Sequence, residues 1–392
     1  MTNQTPNSDV VNLSSSNDEP QDNFIPVTTE EGKLQQLIEW LEEHVSAYSY
    51  LNEVVPLGAS EDEIAKARAS VNDRGARMPD AIIHGSMMVL GAAVNHSSPY
   101  LAYADGKIEV VDTAVQAGAT GQTDTNAGNS HKIPVRVFIP EEATGAVVVA
   151  AHGGGFWMGD GVLRENAFGP NMAALAARSG AIVVDVDYRL APEHHVSAAV
   201  EDIATVVGAV VEDSLQLQKL GAKPINEDNP VVLYGVSSGG HNVASAVEQI
   251  SQNTPVALLL VSPALDLRGA PEAWLQVFFG TKDDSAREVS PGIHGPSRSL
   301  RVHVQSASRD TVVRPATEYL KKVEEAGGKT SQTEFLATHQ IAVPKVQREQ
   351  ITDAARFILE VTHSSRELPE DPAGEYDKEA IDRQNEESWG RS

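Results

Sequence analysis

The stretch "VVLYGVSSGGHNVASAVEQI", Val231 to Ile250, carries a short apolar, β-prone run straight into Gly-Val-Ser-Ser-Gly-Gly and then into a helical pattern. A strand that hands over to a helix through glycines and serines has two readings. It is a flexible turn, or a corner that holds one serine in a strained conformation with its hydroxyl pointing outward. What the rest of the chain places around that corner decides between them.

On both sides, almost continuously apolar segments alternate with amphipathic ones. "GAVVVAA" is followed by "NMAALAARSG", "AIVVDVDY" by "SAAVEDIATVVGAVVEDSLQLQKLG", and "PVVLYGV" by "HNVASAVEQI". "VALLLVSP", "RVHVQSA", "ATEYLKKVEEAG", "SQTEFLA" and "PKVQREQITDAARFILEVT" continue the series. Strands that are apolar on both faces and separated by helices make a mainly parallel sheet with helices on each side, so the expected fold class is α/β. Upstream, "KIPVRVFIP" alternates Ile133, Val135, Val137 and Ile139 as a half-buried strand does. Earlier still, Leu34, Leu37, Ile38, Leu41 and Val45 fall three and four apart on one helical face, and Ser60 with Glu63 makes a capping box that opens a second helix. The chain divides into a tail at 1–30, a helical region at 31–106, an α/β domain at 107–364 and an acidic tail at 365–392. Both tails are polar, charged and without periodicity, and are expected to be disordered.

Composition removes several classes of function. Fifty-five acidic residues against 30 basic ones leave a net charge of −25, which repels phosphate backbones and anionic lipid headgroups. Neither nucleic acid nor a membrane is expected as a partner. The absence of cysteine excludes disulfides, thiolate zinc sites and a cysteine nucleophile. The first residues show no cationic start followed by an apolar run, and no segment approaches the roughly 20 consecutive apolar residues of a membrane span. The expectation is a soluble cytoplasmic protein.

The pentapeptide Gly235-Val236-Ser237-Ser238-Gly239 matches Gly-x-Ser-x-Gly with Ser237 at its centre. Upstream, "VVVAAHGGGFWMGDG" ends another strand in His152-Gly153-Gly154-Gly155. Successive glycines are entropically costly and suit a place where backbone N–H groups must approach a ligand, either a phosphate or a developing oxyanion. No lysine follows as in a phosphate-binding loop, and no Gly-x-Gly-x-x-Gly frame is present. A serine hydroxyl needs a base to take its proton and a carboxylate to orient that base. Asp310 follows the strand "SLRVHVQSASRD" and His339 follows "SQTEFLATHQ", both at strand C-terminal ends and both after Ser237 in the chain. His194 and His195 precede the serine, His241 lies on the helix after it, and His294 and His303 precede Asp310, so His339 is the candidate base.

"HGGGFWMGDG", "DYRLAPEHHVSAAVED", "GVSSGGHNVA", "SASRDTVV" and "ATHQ" together resemble the hormone-sensitive-lipase-like esterase family of α/β-hydrolases, over roughly residues 107–360. The resemblance implies an α/β-hydrolase fold with Ser237 as nucleophile, His339 as general base and Asp310 as its orienting partner. It implies an oxyanion hole from the N–H groups of Gly154, Gly155 and Ser238, and a helical cap formed by the segment before the sheet. The implied activity is hydrolysis of short- to medium-chain carboxylic esters through an acyl-serine, with no metal and no cofactor. Two alternatives share the fold: a serine amidase or arylformamidase-like hydrolase, and a non-catalytic small-molecule receptor. The family's elbow usually reads GDSAGG, whereas Val236 and Ser238 stand here, and the Ser-to-Asp interval of 310 − 237 = 73 residues is short. Asp187, Tyr188, Arg189 and Glu193 read as an ion-pair network under the site. Phe156 and Trp157 either line an acyl pocket or pack beneath the cap.

Overall fold

The computed structural model describes residues 29–46, 48, 54–90, 108–118, 131–280 and 286–368. The expected tails lie outside the described residues except at their inner margins.

Strands β1 (Ile108–Gln116), β2 (Lys132–Pro140), β3 (Val147–Ala151), β4 (Ile182–Val186), β5 (Val231–Val236), β6 (Val256–Val261), β7 (Arg301–Arg309) and β8 (Lys329–Thr338) form one sheet in the order β1-β2-β4-β3-β5-β6-β7-β8. β2 is antiparallel to both its neighbours, and every pairing from β4 across to β8 is parallel. The α/β expectation holds. The central strands are almost continuously apolar because both faces are covered. Val147, Val149, Ile182, Val184, Val231, Leu233, Leu258 and Leu260 point into one core, and Val148, Ala150, Val183, Val232, Tyr234, Ala257 and Leu259 into the other.

The second core is closed by α4 (Gly169–Ser179) and α9 (Pro344–Val361), which contribute Met172, Leu175, Ala354, Phe357 and Ile358. The first is closed chiefly by α5 (Val196–Val211), α6 (Ser238–Ala246), α7 (Glu272–Phe279) and α8 (Val313–Glu325). Gly180 ends α4 in the left-handed conformation at φ 69°, a region that favours glycine, and its N–H donates to Ala176 O.

Three helices precede the sheet: α1 (Glu30–His44), α2 (Glu61–Gly75) and α3 (Met78–Leu90). α1 buries Leu34, Leu37 and Leu41, the face read from its spacing, against Met78 and Ile82 of α3 and against Phe335, Ala337, Ile341 and Val343. Those last four flank the turn that follows β8. The Ser60–Glu63 capping box at the start of α2 forms as expected, with Ser60 N–H donating to Glu63 Oε2 at 2.9 Å.

Parallel register brings the strand ends to one edge. Ala151 at the end of β3 pairs with Val186 of β4 and Gly235 of β5, so the glycine turn after β3 and the serine turn after β5 emerge side by side. The ends of β7 and β8 reach the same edge.

Candidate active site

Ser237 occupies the sharp turn between β5 and α6 at φ 53° and ψ −117°, a conformation that L side chains seldom adopt. The surroundings over-determine it. Ser237 N–H donates to Val261 O at 2.9 Å, and its carbonyl accepts from Gly240 N at 3.0 Å and Ala264 N at 2.9 Å. Gly235 and Gly239 are required by close approach rather than by their own dihedrals. A Cβ on Gly235 would stand 2.6 Å from Gly239 O, and one on Gly239 would overlap the carbonyl oxygens of Ala151 and His152. The sequence folds this way because only glycine lets α6 pass so near β3 and β5.

From that corner the Ser237 hydroxyl donates to His339 Nε2 at 2.8 Å, and His339 Nδ1 donates to Asp310 Oδ2 at 2.5 Å. The tautomer follows from the carboxylate: with Nδ1 facing an anion, the proton sits there and Nε2 keeps its lone pair toward the serine. Asp310 Oδ1 also accepts from Val312 N–H at 3.2 Å. Burial pushes the Asp310 carboxyl up, but hydrogen bonds from His339, Val312 and Ser262 outweigh it and hold the group below the usual carboxylate range. It remains an anion beside the imidazole.

The glycine turn lies directly against the elbow: a Cβ on Gly153 would come within 3.3 Å of Ser237 Cβ. Gly154 and Gly155 sit at φ 128° and φ 58°, and a Cβ on Gly154 would overlap the Met158 carbonyl. Gly154 O accepts from Trp157 N–H at 3.2 Å and Met158 N–H at 3.0 Å, which tightens the turn. Among the described residues, the N–H groups of Gly154 and Gly155 have no backbone acceptor. Ser238 opens α6, where the first N–H groups have no acceptor within the helix.

Residues 148–340 match the model of a family described as having the α/β-hydrolase fold. The chain has the α/β-hydrolase fold. Its similarity to the human arylacetamide deacetylase-like 2 is 39% identity over 124 residues, which covers 31% of this chain and 29% of that protein. Carboxylesterase NlhH of Mycobacterium tuberculosis is 35% identical over 123 residues, 31% of this chain and 35% of that one. The chain thus spans about a third of the length of these curated relatives. Among solved structures, one described as an arylesterase superposes with a TM-score of 0.58 at 17% identity, covering 86% of this chain and all of that one (100%). Esterase LipW of Mycobacterium marinum superposes with a TM-score of 0.56 at 22% identity, covering 77% and 91%. The resemblance read from the HGGG, DYRLAPE and elbow motifs therefore holds.

His241, His294 and His303 have other partners. His241 Nδ1 donates to Ala264 O, His294 Nε2 contacts Arg287 O, and His303 lies between Asp353 and Ser331, at 2.7 and 2.8 Å. The last is a second Ser, His, Asp arrangement, but Ser331 lies within β8, not on an elbow.

Ser237, His339, Gly154, Gly155 and Trp157 share a cavity of about 470 Å³, roofed by Val55, Met78, Pro79 and Ile82 from the N-terminal helices and the segment before α2. Phe156 does not line it and is corrected to a packing role. Its φ of 72° turns the ring away, edge-on to His241, Trp274 and Phe279 at centroid distances of 5.2, 5.6 and 5.3 Å. Trp274 takes a place in the lining that the sequence did not suggest.

The DYRLAPE residues form the ion-pair network that was expected. Arg164 bonds Asp185 at 2.7 Å and Asp187 at 2.8 Å, Arg189 bonds Asp202 at 2.9 Å, and the Tyr188 hydroxyl donates to His152 O at 2.6 Å. Glu193 has a partner that the sequence reading missed. Arg68 on α2 grips both its carboxylate oxygens at 2.8 and 2.6 Å and donates to Trp157 O at 2.5 Å and Ala191 O at 2.8 Å. One turn on, Asn72 accepts from Gly159 N–H at 3.1 Å and donates to Asp160. Arg68 and Asn72 lie four apart on the face of α2 that carries Ile64 and Val71, a pattern that reads equally as an ordinary buried helix face and names no partner.

Proposed function

We propose that this chain is a serine carboxylesterase that cleaves short- to medium-chain carboxylic esters through an acyl-serine intermediate. The observation that carries the reading is the unbroken hydrogen-bond chain from Ser237 Oγ through His339 to Asp310, standing beside a glycine turn. His339 Nε2 takes the serine proton as Oγ attacks the ester carbonyl, and Asp310 stabilises the imidazolium that forms. The carbonyl oxygen, now an anion, is held by the N–H groups of Gly154, Gly155 and Ser238. The tetrahedral adduct collapses, the C–O bond to the alcohol breaks, and His339 returns the proton to the leaving oxygen. Water then attacks the acyl-serine by the same route and releases the acid.

The cavity of about 470 Å³ supports a short- to medium-chain substrate, with Trp157 as an apolar wall. The net charge of −25 supports a small-molecule partner in a watery compartment such as the cytoplasm, with neither nucleic acid nor membrane as partner. Among the described residues, no helix is long and apolar enough to cross a membrane. The N-terminal helices, which roof the cavity, act as its cap.

The test is initial-rate hydrolysis of p-nitrophenyl esters from acetate to dodecanoate by wild type, Ser237→Ala and His339→Ala, with folding followed by circular dichroism. Turnover by wild type and a loss of about 10⁴-fold or more in both folded variants is expected. A folded wild type inactive across the series sinks the reading. Amide hydrolysis is the second reading, favoured by similarity to a protein named arylacetamide deacetylase-like 2. kcat/KM on matched ester and amide analogues separates the two.

A further inference from the structure

The cavity beside Ser237 does not end at the cap. Its lining also takes in Tyr234 of β5, Phe168, Met172 of α4, and Ile351 and Ala354 of α9, which together make up a second lobe. Tyr234, Met172 and Ala354 pack in the same apolar cluster, so such a lobe should be greasy throughout. It is not. Tyr234 on β5 and Gln347 on α9 both line it, exposed by only 6% and 9%. Among the described residues, Gln347 Oε1 is buried without a partner, and burial alone, with no hydrogen bond, pushes the Tyr234 phenol up. Gln305, on β7, spends its amide N–H groups on Gln350 O at 2.8 Å and Asp353 Oδ2 at 2.9 Å, which leaves its carbonyl oxygen unused at the same lining.

A buried polar group without a partner destabilises the fold, and Gln347 Oε1 in a lining shared with the Tyr234 hydroxyl is tolerable only where something polar occupies the lobe at least part of the time. The occupant's charge is constrained as well. Among the described residues, no Asp, Glu, Lys or Arg lines the cavity, so a carboxylate or ammonium entering it would stay unpaired. A phenol and two carboxamides supply both donors and acceptors to a neutral group.

We propose that this lobe selects esters bearing an uncharged hydroxyl or carbonyl group on the arm that enters it, recognised by Tyr234 and Gln347. The inference rests on the esterase reading for its chemistry, although recognition itself does not require turnover. In the free protein water occupies the polar part of the lobe, and the substrate's oxygen replaces it. An apolar lobe would show the opposite sign, because a hydroxyl moved from water into hydrocarbon without a partner weakens binding.

Two matched pairs read this directly: methyl 6-hydroxyhexanoate against methyl hexanoate for the acyl arm, and 6-hydroxyhexyl acetate against hexyl acetate for the alcohol arm. Binding to full-length Ser237→Ala is measured by calorimetry and hydrolysis by wild type in a pH-stat. On one pair the hydroxylated ester is expected to bind about tenfold more tightly than its plain partner. Tyr234→Phe and Gln347→Leu, each made in the Ser237→Ala background, should each reduce that ratio to near one or invert it. Ratios within twofold on both pairs, or a preference that survives both substitutions, overturn the inference whether or not esters are hydrolysed. A hydroxyl preference in binding without hydrolysis by wild type supports the recognition and overturns the esterase reading instead.

Discussion

Asp310 and Ser262 show how the electrostatics of the site are set one residue at a time. Asp310 has a side chain only 4% exposed and stays ionised because His339, Val312 N–H and Ser262 converge on it. Asp310→Asn keeps the shape and removes the charge, and its amide can present N–H to Nδ1. The imidazole then moves its proton to Nε2, where it can no longer accept from Ser237. A fall in kcat of about 10⁴-fold is expected, with the melting temperature little changed. A loss of tenfold or less would mean that the carboxylate is not the orienting group. Glycine supplies the complementary case. Gly239→Ala forces a methyl group into the carbonyls of Ala151 and His152, both backbone and unable to yield. We expect low soluble yield or a melting temperature lowered by many degrees, rather than a folded enzyme with reduced activity. A normally folded, active Gly239→Ala would refute this account of the elbow.

At the scale of the element, the fold was legible and the connections between elements were not. "KIPVRVFIP" became β2 over the same residues, Lys132–Pro140, and Leu34, Leu37 and Leu41 are the buried face of α1, because period and burial are local consequences of one strand or one helix. Ser237, Asp310 and His339 could be picked out because each follows a strand whose end falls on one edge of the sheet. Arg68 and Asn72 could not, since nothing within α2 reveals that it lies 125 residues from its partner Glu193. Phe156 was left open for a similar reason: its direction depends on a positive φ in the glycine turn, which the residue type does not encode. These contacts give α2 a specific task. Arg68 ties it to Trp157 O, Ala191 O and Glu193, so that one guanidinium sets the distance between α2 and the glycine turn. Arg68→Lys keeps the charge but lacks the planar fork, and should recover little of what Arg68→Ala loses. For both we expect kcat/KM to fall by tenfold or more, from misplacement of Gly154 and Gly155, with a larger effect than Arg74→Ala on the same helix. Full activity in Arg68→Lys would show that charge alone suffices.

At the scale of the whole molecule, burial of His152 and His241 sets the response to acid. His152 is held beneath the glycine turn, where Nδ1 donates to Gly153 O at 2.7 Å, and His241 lies edge-on to Phe156 and Phe279. Burial pushes both down to about 4. In the unfolded chain each would titrate near 6.5. Between those values the unfolded state binds protons that the folded state refuses, so stability is lost as pH falls from about 6.5 to 4, on the order of 3 kcal/mol for each histidine. Asp185 acts in the other direction. Burial pushes its carboxyl up to about 6 against the pull of Arg164, so its contribution is present in acid and lost as pH rises toward 6. That offsets up to about one histidine and leaves a net loss on the acid side. Asp310 and Asp353, both held below the usual carboxylate range, add further loss only at lower pH, as they take up protons. Urea midpoints measured at pH 7.5, 6.0 and 4.5 should therefore fall steadily. His241→Phe keeps an aromatic ring in the cluster with Phe156 and Phe279 and removes one titrating group, so its midpoints should fall distinctly less across the same interval, even if its midpoint at pH 7.5 is lower for want of the bond to Ala264 O. Parallel curves for His241→Phe and wild type would mean that the buried imidazoles do not govern acid stability, and that the carboxylate pairs do.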